Sequence, residues 1–331
     1  MTSRPPLPHR PRAWLLGVVV PALITAAAWL AILALLPRVP DPAAVHWGLS
    51  GVDRAGSTAE LLVTMGATSG LSLVVMAVLA VRTGRQALTR RTTLALAVAL
   101  ATLFAGATLG TVVVQLDAPT AAAAGSPEGW IVGALVLAVV LGAVAGTLAG
   151  ADPAMPATGA AAGGATTADP PEGQRAVWIT SVAGLGERTT GLLLAGGVVV
   201  AVGLWLLTQS LVPLVVLVPL LLVLLVMTTW QVQVDHRGLT ARSSFGWPRL
   251  SVPAGEVERA DVTRVSPLRE FGGWGLRTST AGTVGVVIRA GEAIAVERSG
   301  GRRLVVTVDD AATGAALLNT YAARSRQGLD R

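Results

Sequence analysis

Long, uninterrupted runs of apolar residues dominate the chain up to residue 229, and they predict membrane-spanning helices. A helix needs about 20 largely apolar residues to cross a bilayer. Six runs come close to or exceed this length. They are Ala13–Leu36, Leu61–Val81, Thr92–Val114, Trp130–Ala149, Gly191–Thr208 and Leu211–Thr229. Because only two residues separate the last two runs, we expect them to form a helical hairpin.

Beyond residue 230 the pattern changes to short alternating segments separated by Gly-containing turns, which is typical of β-strands. The predicted strands are Gln231–Asp235, Leu239–Ser244, Arg249–Val252, Glu258–Val265, Thr283–Arg289, Ala293–Arg298 and Arg303–Val308. The last segment, Asp310–Arg326, has apolar residues at helical spacing behind a capping aspartate. Seven strands followed by one helix is the order of a pleckstrin-homology (PH)-like barrel, so we predict that fold for the C-terminal region.

Composition places the chain among membrane proteins. Hydrophobic residues make up 52% of it and charged residues 13%, whereas a soluble domain carries about 25% charged residues. This balance excludes an ordinary soluble enzyme and a disordered chain. The chain contains no cysteine, which excludes disulfides, thiolate metal sites and cysteine nucleophiles.

The distribution of arginine predicts the orientation in the membrane. Of the 25 basic residues, 23 fall on the N-terminal arm, the even-numbered loops and the tail, and only Arg38 and Arg54 fall on the other side. The positive-inside rule then places both termini in the cytoplasm. The Ala- and Gly-rich composition indicates a bacterial genome, so we expect a multi-pass protein of the bacterial cytoplasmic membrane. We assign the net charge of +6 to orientation and expect no nucleic-acid partner.

The predicted fold is a mainly α membrane protein of six helices followed by a PH-like domain. Its parts are a cytoplasmic arm (1–12), a four-helix transmembrane domain (13–150) with an extracytoplasmic loop (37–60), an Ala/Gly/Pro-rich linker (151–174), an interfacial segment with a transmembrane hairpin (175–229) and a cytoplasmic PH-like domain (230–331). Trp178 indicates that the interfacial segment lies at the membrane surface. Glycines four residues apart, such as Gly142 and Gly146, favour close helix packing within the chain, and a homo-oligomer is the alternative.

The first loop concentrates His46, Trp47, Asp53 and Arg54 within nine residues, and we take these four as the candidate ligand-binding residues. His46 has the chemistry to bind a metal, contact a peptide or respond to pH. The alternative is a structural histidine that hydrogen-bonds the turn. One histidine and two acids make a thin metal site, because zinc typically takes three or four protein ligands, so no metal site is predicted.

The same loop resembles a known family. The matching residues are Pro40, Asp41, His46, Trp47, Gly51, Asp53, Arg54, Gly56 and Ser57. Their pattern is similar to an uncharacterised domain at the N-terminus of SdpI-type bacteriocin immunity and signalling proteins. The resemblance covers roughly residues 13–115. It departs from the family at Ala44, where a proline is expected, and in a spacing from Gly51 to Asp53 that is one residue shorter. The resemblance implies a membrane protein that confers immunity and sequesters a regulator.

The tail is similar to bacterial PH-like domains that follow a membrane hairpin. The residues that carry this resemblance are the runs Val234–Leu239, Val252–Asp261 and Phe271–Arg277. Among the tail's polar and aromatic residues, four are candidates for contact with a partner or with anionic lipid. They are Arg237, Arg242, Trp274 and Arg277. The segment Gly272–Gly275 is also a candidate anion-binding nest together with Arg277, and the alternative is a loop whose glycines admit the Trp274 side chain.

Function follows from what these features exclude. No histidine accompanies a recognisable nucleophile motif, so we expect no enzyme activity and no cofactor. The predicted spans carry no charged residue in their interiors, which argues against an ion-coupled carrier. The leading hypothesis is a non-enzymatic membrane protein for signal reception or toxin immunity, with membrane lipids and a cytoplasmic protein as partners of the PH-like domain. An envelope-maintenance or assembly platform is the alternative, followed by a small-solute transporter.

Overall fold

The computed structural model describes residues 8–48, 50–157, 166–168, 175–184 and 187–328. These residues form two compact units. The helical unit contains the described residues up to Asp152 together with Ala201–Val216. The sheet unit contains the described residues of Pro153–Val200 and Leu217–Arg331. Parts of the predicted N-terminal arm (1–7), linker (158–165 and 169–174) and interfacial segment (185–186) lie outside the described residues.

Apolar helices make up most of the helical unit. The first begins as α1 (Arg10–Trp14), passes through a π-helical turn (Leu15–Val19) and continues as α2 (Val20–Leu35) to a 3-10 turn (Leu36–Arg38). The next three are α3 (Thr58–Arg82), α4 (Ala87–Val113) and α5 (Glu128–Leu148). Two helices, α6 (Glu187–Thr208) and α7 (Val212–Met227), have residues in both units.

Five helices of the described chain are long and apolar enough to cross a membrane, which supports the prediction of a multi-pass membrane protein. They are Arg10–Arg38, Thr58–Arg82, Ala87–Val113, Glu128–Leu148 and Arg188–Thr208. The sixth predicted span, Leu211–Thr229, is represented by α7, which has only 16 residues. At 1.5 Å per residue it is about 24 Å long, short of the roughly 30 Å of a bilayer core.

Glycine allows α4 and α5 to pack closely. A Cβ added at Gly142 would lie 2.9 Å from the carbonyl oxygen of Ala95 on α4, and one at Gly106 would lie 2.5 Å from the Cβ of Ala134 on α5. By contrast, Gly129 and Gly133 have no atom within 4 Å of an added Cβ. The predicted packing within the chain therefore holds for Gly106 and Gly142, while the other two glycines lie on an open face.

A buried arginine closes the packed end of this helix pair. Arg90, in the first turn of α4, is only 2% exposed. Its guanidinium donates hydrogen bonds to the carbonyl oxygens of Ala149 (2.9 Å), Gly150 (2.9 Å) and Ala151 (3.0 Å), which follow α5. Ala149 is the C-cap of α5 and the other two residues follow it, so one cation binds three successive carbonyl groups just beyond the helix.

The sheet unit contains two separate sheets. The four-stranded antiparallel sheet has the order β3-β4-β5-β6, and the five-stranded mixed sheet has the order β7-β10-β11-β9-β8. The strands are β3 (Trp178–Ala183), β4 (Thr229–Asp235), β5 (Gly238–Ser243), β6 (Arg249–Pro253), β7 (Val257–Val265), β8 (Gly275–Thr278), β9 (Val284–Val287), β10 (Gly291–Arg298) and β11 (Arg302–Thr307). A short helix, α8 (Pro267–Phe271), precedes β8, and α9 (Ala311–Gln327) closes the chain. Buried residues of α9, including Leu318 and Tyr321, belong to the core.

The predicted closed barrel is not observed among the described residues. The sequence places β6 and β7 next to each other, yet they belong to different sheets, because Pro253 and a 3-10 turn (Ala254–Glu256) separate them. Proline cannot donate a ladder hydrogen bond, and a helical turn ends the strand. In addition, the segment around Trp178, expected at a membrane interface, forms β3, which pairs with β4 from Trp178↔Val234 to Ala183↔Thr229.

The described parts of the linker are attached to the sheet unit. The backbone N–H of Ala157 donates to the carbonyl oxygen of Gly255 (2.8 Å), and the side chain of Asn319 donates to the carbonyl oxygen of Thr166 (3.0 Å). Thr320 of α9 donates to Ala168 (2.7 Å) in the same way. Backbone groups of these short described stretches of the predicted linker therefore bind α9 and its neighbours.

Candidate functional site

The first loop folds into a β-hairpin that connects the end of the first apolar helix to α3. Its strands are β1 (Ala43–Gly48) and β2 (Gly51–Gly56), paired antiparallel from Ala43↔Gly56 to Gly48↔Gly51. Gly51 has φ +110°, a backbone conformation that favours glycine. The hairpin leads directly into α3, whose N-cap Ser57 accepts a hydrogen bond from the backbone N–H of Glu60 (3.1 Å). The chain therefore passes from strand to helix without a flexible connection.

One side of the hairpin is fixed to a hydrophobic core. Ala43 is completely buried in a cluster with Ile32 and Val112. Val45 packs against the same cluster, and so does Leu116 just beyond α4. These apolar contacts join the hairpin to the ends of helices that the sequence separates widely.

A buried glutamine fixes the hairpin more specifically. Gln115 is 0% exposed. Its Oε1 accepts from the backbone N–H of Ala44 (2.7 Å), and its Nε2 donates to the carbonyl oxygens of Ala44 (3.0 Å) and Thr111 (2.9 Å). Ala44 is also 0% exposed, so Gln115 supplies the partners that its buried backbone groups need. The Gln115 side chain thus makes the hydrogen bonds to Ala44 that a third strand would make.

Two further contacts hold the hairpin and its neighbouring segments. The indole N–H of Trp47 donates to the carbonyl oxygen of Gly125 (3.0 Å). Arg38, at the end of the first helix, donates from Nε to a carboxylate oxygen of Asp117 (3.2 Å) and makes a second bond from Nη2. The hydrogen bonds from Arg38 lower the pKa of the Asp117 carboxyl. The lowered pKa favours the ionised carboxylate that pairs with Arg38.

The opposite side of the hairpin carries an exposed set of charged groups. Nδ1 of His46 lies 2.6 Å from Oδ1 of Asp53 on the paired strand, and these side chains are 63% and 48% exposed. Beside them, Nη1 of Arg54 donates to Oε1 of Glu60 (2.6 Å). The predicted residues His46, Trp47, Asp53 and Arg54 therefore all lie on this one hairpin.

Two glycines leave room for the carboxylates. A Cβ added at Gly48 would lie 2.6 Å from Oδ2 of Asp53, and one at Gly56 would lie 2.2 Å from Oε2 of Glu60. Any larger residue at either position would displace a carboxylate. Both carboxylates end flexible side chains, so such a displacement would be a local adjustment.

The arrangement suits recognition by hydrogen bonding. A carboxylate bound to Nδ1 orients a histidine ring and selects its tautomer, which leaves Nε2 of His46 for an external partner. Within the described residues, no group of three or more His, Asp or Glu side chains is placed to hold a metal ion. The hairpin therefore offers an imidazole, two carboxylates and a guanidinium to a polar ligand.

Sequence reasoning missed the groups that support this site. The predicted site residues include none of Gln115, Asp117 and Glu60. Glu60 had a local signal, because Ser57 followed three residues later by a glutamate is a helix-capping pattern. Gln115 had only the signal of a lone amide at the end of an apolar run.

The four candidate residues of the tail do not form one site. Arg237 donates to Asp235 from its backbone N–H (2.8 Å) and its guanidinium (3.2 Å), at the tip of the β4–β5 turn. Burial of Asp235 raises the pKa of its carboxyl, but the hydrogen bonds from Arg237 outweigh burial and lower that pKa overall. Arg242 binds Oε1 of Gln231 on the neighbouring strand (2.6 Å from Nη2).

The other two candidates belong to a single loop. Nε of Arg277 donates to the carbonyl oxygen of Trp274 (2.9 Å). Trp274 itself is 54% exposed. The expected anion-binding nest around Gly272 and Gly273 does have positive φ angles of +67° and +145°. The Arg277 guanidinium lies 3.3 Å from the position of a Cβ on Gly273, so the glycine admits this arginine.

Comparison with known proteins identifies one domain. Residues 23–68 match the model of a family described as a domain of unknown function, DUF1648. No curated protein matches the chain, and no solved structure matches it. The matched segment covers most of α2, the whole β1–β2 hairpin and the first part of α3. The chain is therefore a protein with membrane-length apolar helices and an N-terminal DUF1648 domain, and the exposed charged hairpin is the centre of that domain.

Proposed function

We propose that the protein is a non-enzymatic receptor or immunity protein of the bacterial cytoplasmic membrane, in which the β1–β2 hairpin binds an extracytoplasmic peptide. The observation that carries this proposal is the exposed pair of His46 and Asp53 on a hairpin whose other side is fixed by Gln115. A binding site gains affinity when its polar groups are ordered before the ligand arrives. The arginine distribution supports the outward orientation of the hairpin.

The chemistry of the hairpin selects the class of ligand. Nε2 of His46, the carboxylate of Asp53 and the Arg54–Glu60 ion pair offer both donors and acceptors at the surface. The indole of Trp47, half-buried beside them, adds a flat apolar surface. A peptide with backbone amides and one or two charged side chains fits this combination. A small inorganic ion does not use the indole.

The resemblance to SdpI-type proteins supports the second half of the proposal. In that family one membrane protein confers immunity and sequesters a regulator. Here the sheet unit would take the scaffold role on the cytoplasmic side, with a cytoplasmic protein as its partner. The PH-like elements predicted from the sequence are an addition to the minimal immunity protein, so the regulator-binding step is assigned to this unit.

A growth challenge tests the proposal. A deletion strain of the host is exposed to the peptide fraction of its own concentrated culture supernatant, with the chain supplied from a plasmid. We expect the native chain to restore growth or the transcriptional response and His46→Ala and Asp53→Ala to fail at equal membrane abundance. Ser50→Ala, in the exposed turn of the same hairpin, is the matched control and should behave as the native chain.

Hydrogen exchange of the purified variants separates binding from a structural role. If His46 serves the hairpin alone, His46→Ala will raise amide exchange in β1 and β2 along with the loss of response. If it serves recognition, the response will be lost with exchange unchanged. Full response in His46→Ala and Asp53→Ala would contradict the proposal and favour an envelope platform. Gly142→Leu would not distinguish recognition from an envelope platform, because Gly142 packs against α4 within the chain.

A further inference from the structure

The last turn of α7 and the loop around Trp274 enclose an apolar cavity in the sheet unit. Its volume is about 310 Å³, within the range of roughly 300–1,000 Å³ that is usual for ligand pockets. Seven of the described residues line its wall: Gly184, Leu224, Met227, Thr228, Trp274, Gly275 and Ile288. None of these described residues is charged, and Thr228 alone among them has a polar side chain, so the wall favours an apolar ligand.

The wall formed by α7 indicates where that ligand comes from. Every residue of Val212–Met227 is Val, Leu, Pro or Met, and none of them is buried in the protein. A helix that is apolar on all sides and uncovered by protein requires a lipid environment. Leu224 and Met227 belong to the end of this helix, so the cavity is continuous with the surface that contacts lipid.

The position of this end is fixed by hydrogen bonds to the sheet unit. Oγ of Ser243, at the end of β5, donates to the carbonyl oxygen of Val226 (2.7 Å). The backbone N–H of Gly184, just after β3, donates to the carbonyl oxygen of Thr228 (3.1 Å). A Cβ on Gly184 would lie 2.6 Å from the carbonyl oxygen of Ile288, so the ends of β3 and β9 meet here against the helix.

Exposed aromatic residues lie in the turn after Ser243 and in the wall of the cavity. Phe245 and Trp247, in the turn that follows Ser243, are 63% and 76% exposed, and Trp274 at the cavity is 54% exposed. Tryptophan and tyrosine side chains are favoured at the boundary between lipid headgroups and acyl chains, which fits Trp247 and Trp274. Because α7 is about 6 Å shorter than the bilayer core, its flanking residues are drawn into this boundary.

Arg237 shows the limit of the membrane-facing region. It lies beyond the far end of β4, whose seven residues from Thr229 to Asp235 span about 20 Å. Arg277, in contrast, is held against the Trp274 loop by its hydrogen bond to the Trp274 carbonyl oxygen. A guanidinium at this place is suited to a lipid phosphate.

We propose that the cavity between the end of α7 and the Trp274 loop binds one acyl chain of a membrane phospholipid, with Phe245, Trp247 and Trp274 in the interfacial layer of the bilayer. This inference does not depend on the function of the hairpin. It makes the sheet unit a membrane-surface domain whose orientation is set by a bound lipid as well as by its two helices.

Photo-cross-linking tests this site with the full-length chain. The protein is reconstituted in phosphatidylcholine vesicles that contain a phospholipid with a diazirine in its acyl chain, and the cross-linked residues are located by mass spectrometry. Ile288 is only 4% exposed and lines the cavity, so only a chain that enters the cavity reaches it. We expect cross-links at Ile288 and Trp274.

Two variants of α7 provide the matched comparison. Leu224→Trp fills the cavity and should lower the yield at Ile288 at least fivefold. Leu222→Trp places the same side chain on an exposed position of the same helix that does not line the cavity, and it should leave the yield unchanged. Circular dichroism and size-exclusion profiles establish that both variants fold.

Three results would overturn the proposal. The first is a yield at Ile288 no higher than at Val296, a residue of β10 that is 0% exposed and does not line the cavity. The second is an equal yield in the two folded variants. The third is labelling of Ile288 by a diazirine fatty acid but not by the phospholipid, which would assign the cavity to a free fatty acid instead.

Discussion

Replacing Gln115 by leucine tests whether the hairpin is held as the structure indicates. The substitution keeps a side chain of similar volume but removes both hydrogen-bond partners of the Ala44 backbone. The N–H and carbonyl groups of Ala44 bond to Gln115 at 2.7 and 3.0 Å. Ala44 is 0% exposed, so water does not replace these bonds. An unsatisfied buried group costs about 1–3 kcal/mol, and the two groups together therefore cost about 2–6 kcal/mol.

Hydrogen exchange in lipid nanodiscs measures this cost locally. A loss of about 2 kcal/mol, the lower end of the range, raises the opening equilibrium of the hairpin roughly 30-fold. We expect faster exchange in β1 and β2 of Gln115→Leu and unchanged exchange in the middle of α4. Gln231→Leu makes the same chemical change in the sheet unit and should leave the hairpin unaffected. Native exchange rates of the hairpin in Gln115→Leu would refute the reasoning.

Three further predictions concern the rest of the chain. Gly142→Leu should destabilise the helical unit in thermal unfolding, since its Cβ would meet a backbone oxygen at 2.9 Å, whereas Gly133→Leu has open space and should be tolerated. Arg90→Met should lower the unfolding free energy by about 3 kcal/mol in a denaturant titration. The substitution removes a cation that is only 2% exposed and leaves its carbonyl partners without that donor. The pKa of Asp235 is lowered in the folded state, so its ionised carboxylate stabilises the fold above about pH 4. This stabilisation is lost as pH falls through that pKa. Asp235→Asn should therefore lower the melting temperature at pH 7, and the difference from the native chain should shrink as pH falls below about 4.

Local patterns predicted the elements of this chain well where the pattern was continuous. The run Thr92–Val114 corresponds to α4 (Ala87–Val113), and Arg303–Val308 corresponds to β11 (Arg302–Thr307). The same patterns failed where pairing depends on distant residues. Local patterns missed strand β3 because its partner β4 follows two apolar helices. The prediction of a closed barrel was wrong because local alternation of residues does not determine the order of strands in a sheet.

The candidate site shows the same division. His46 and Asp53 are seven positions apart, so the sequence alone predicts that they share one loop. It does not predict that this loop is a β-hairpin. Ala43 and Ala44 gave no strand signal, since alanine is depleted in strands. Gln115 is 71 positions from Ala44, and only the helix packing brings them together. Arg90 was counted as a loop charge for orientation, and its burial depends on carbonyl groups at the end of α5.

The most direct test of the central claim uses the absence of cysteine from the chain. Ser50→Cys places a single thiol in the exposed turn of the hairpin, and a membrane-impermeant maleimide is applied to intact cells. We predict that this thiol is labelled, that the peptide fraction slows its labelling, and that His46→Ala abolishes the slowing. A thiol that is labelled only after the cells are broken, or at the same rate with and without the peptide fraction, would contradict an outward-facing recognition hairpin.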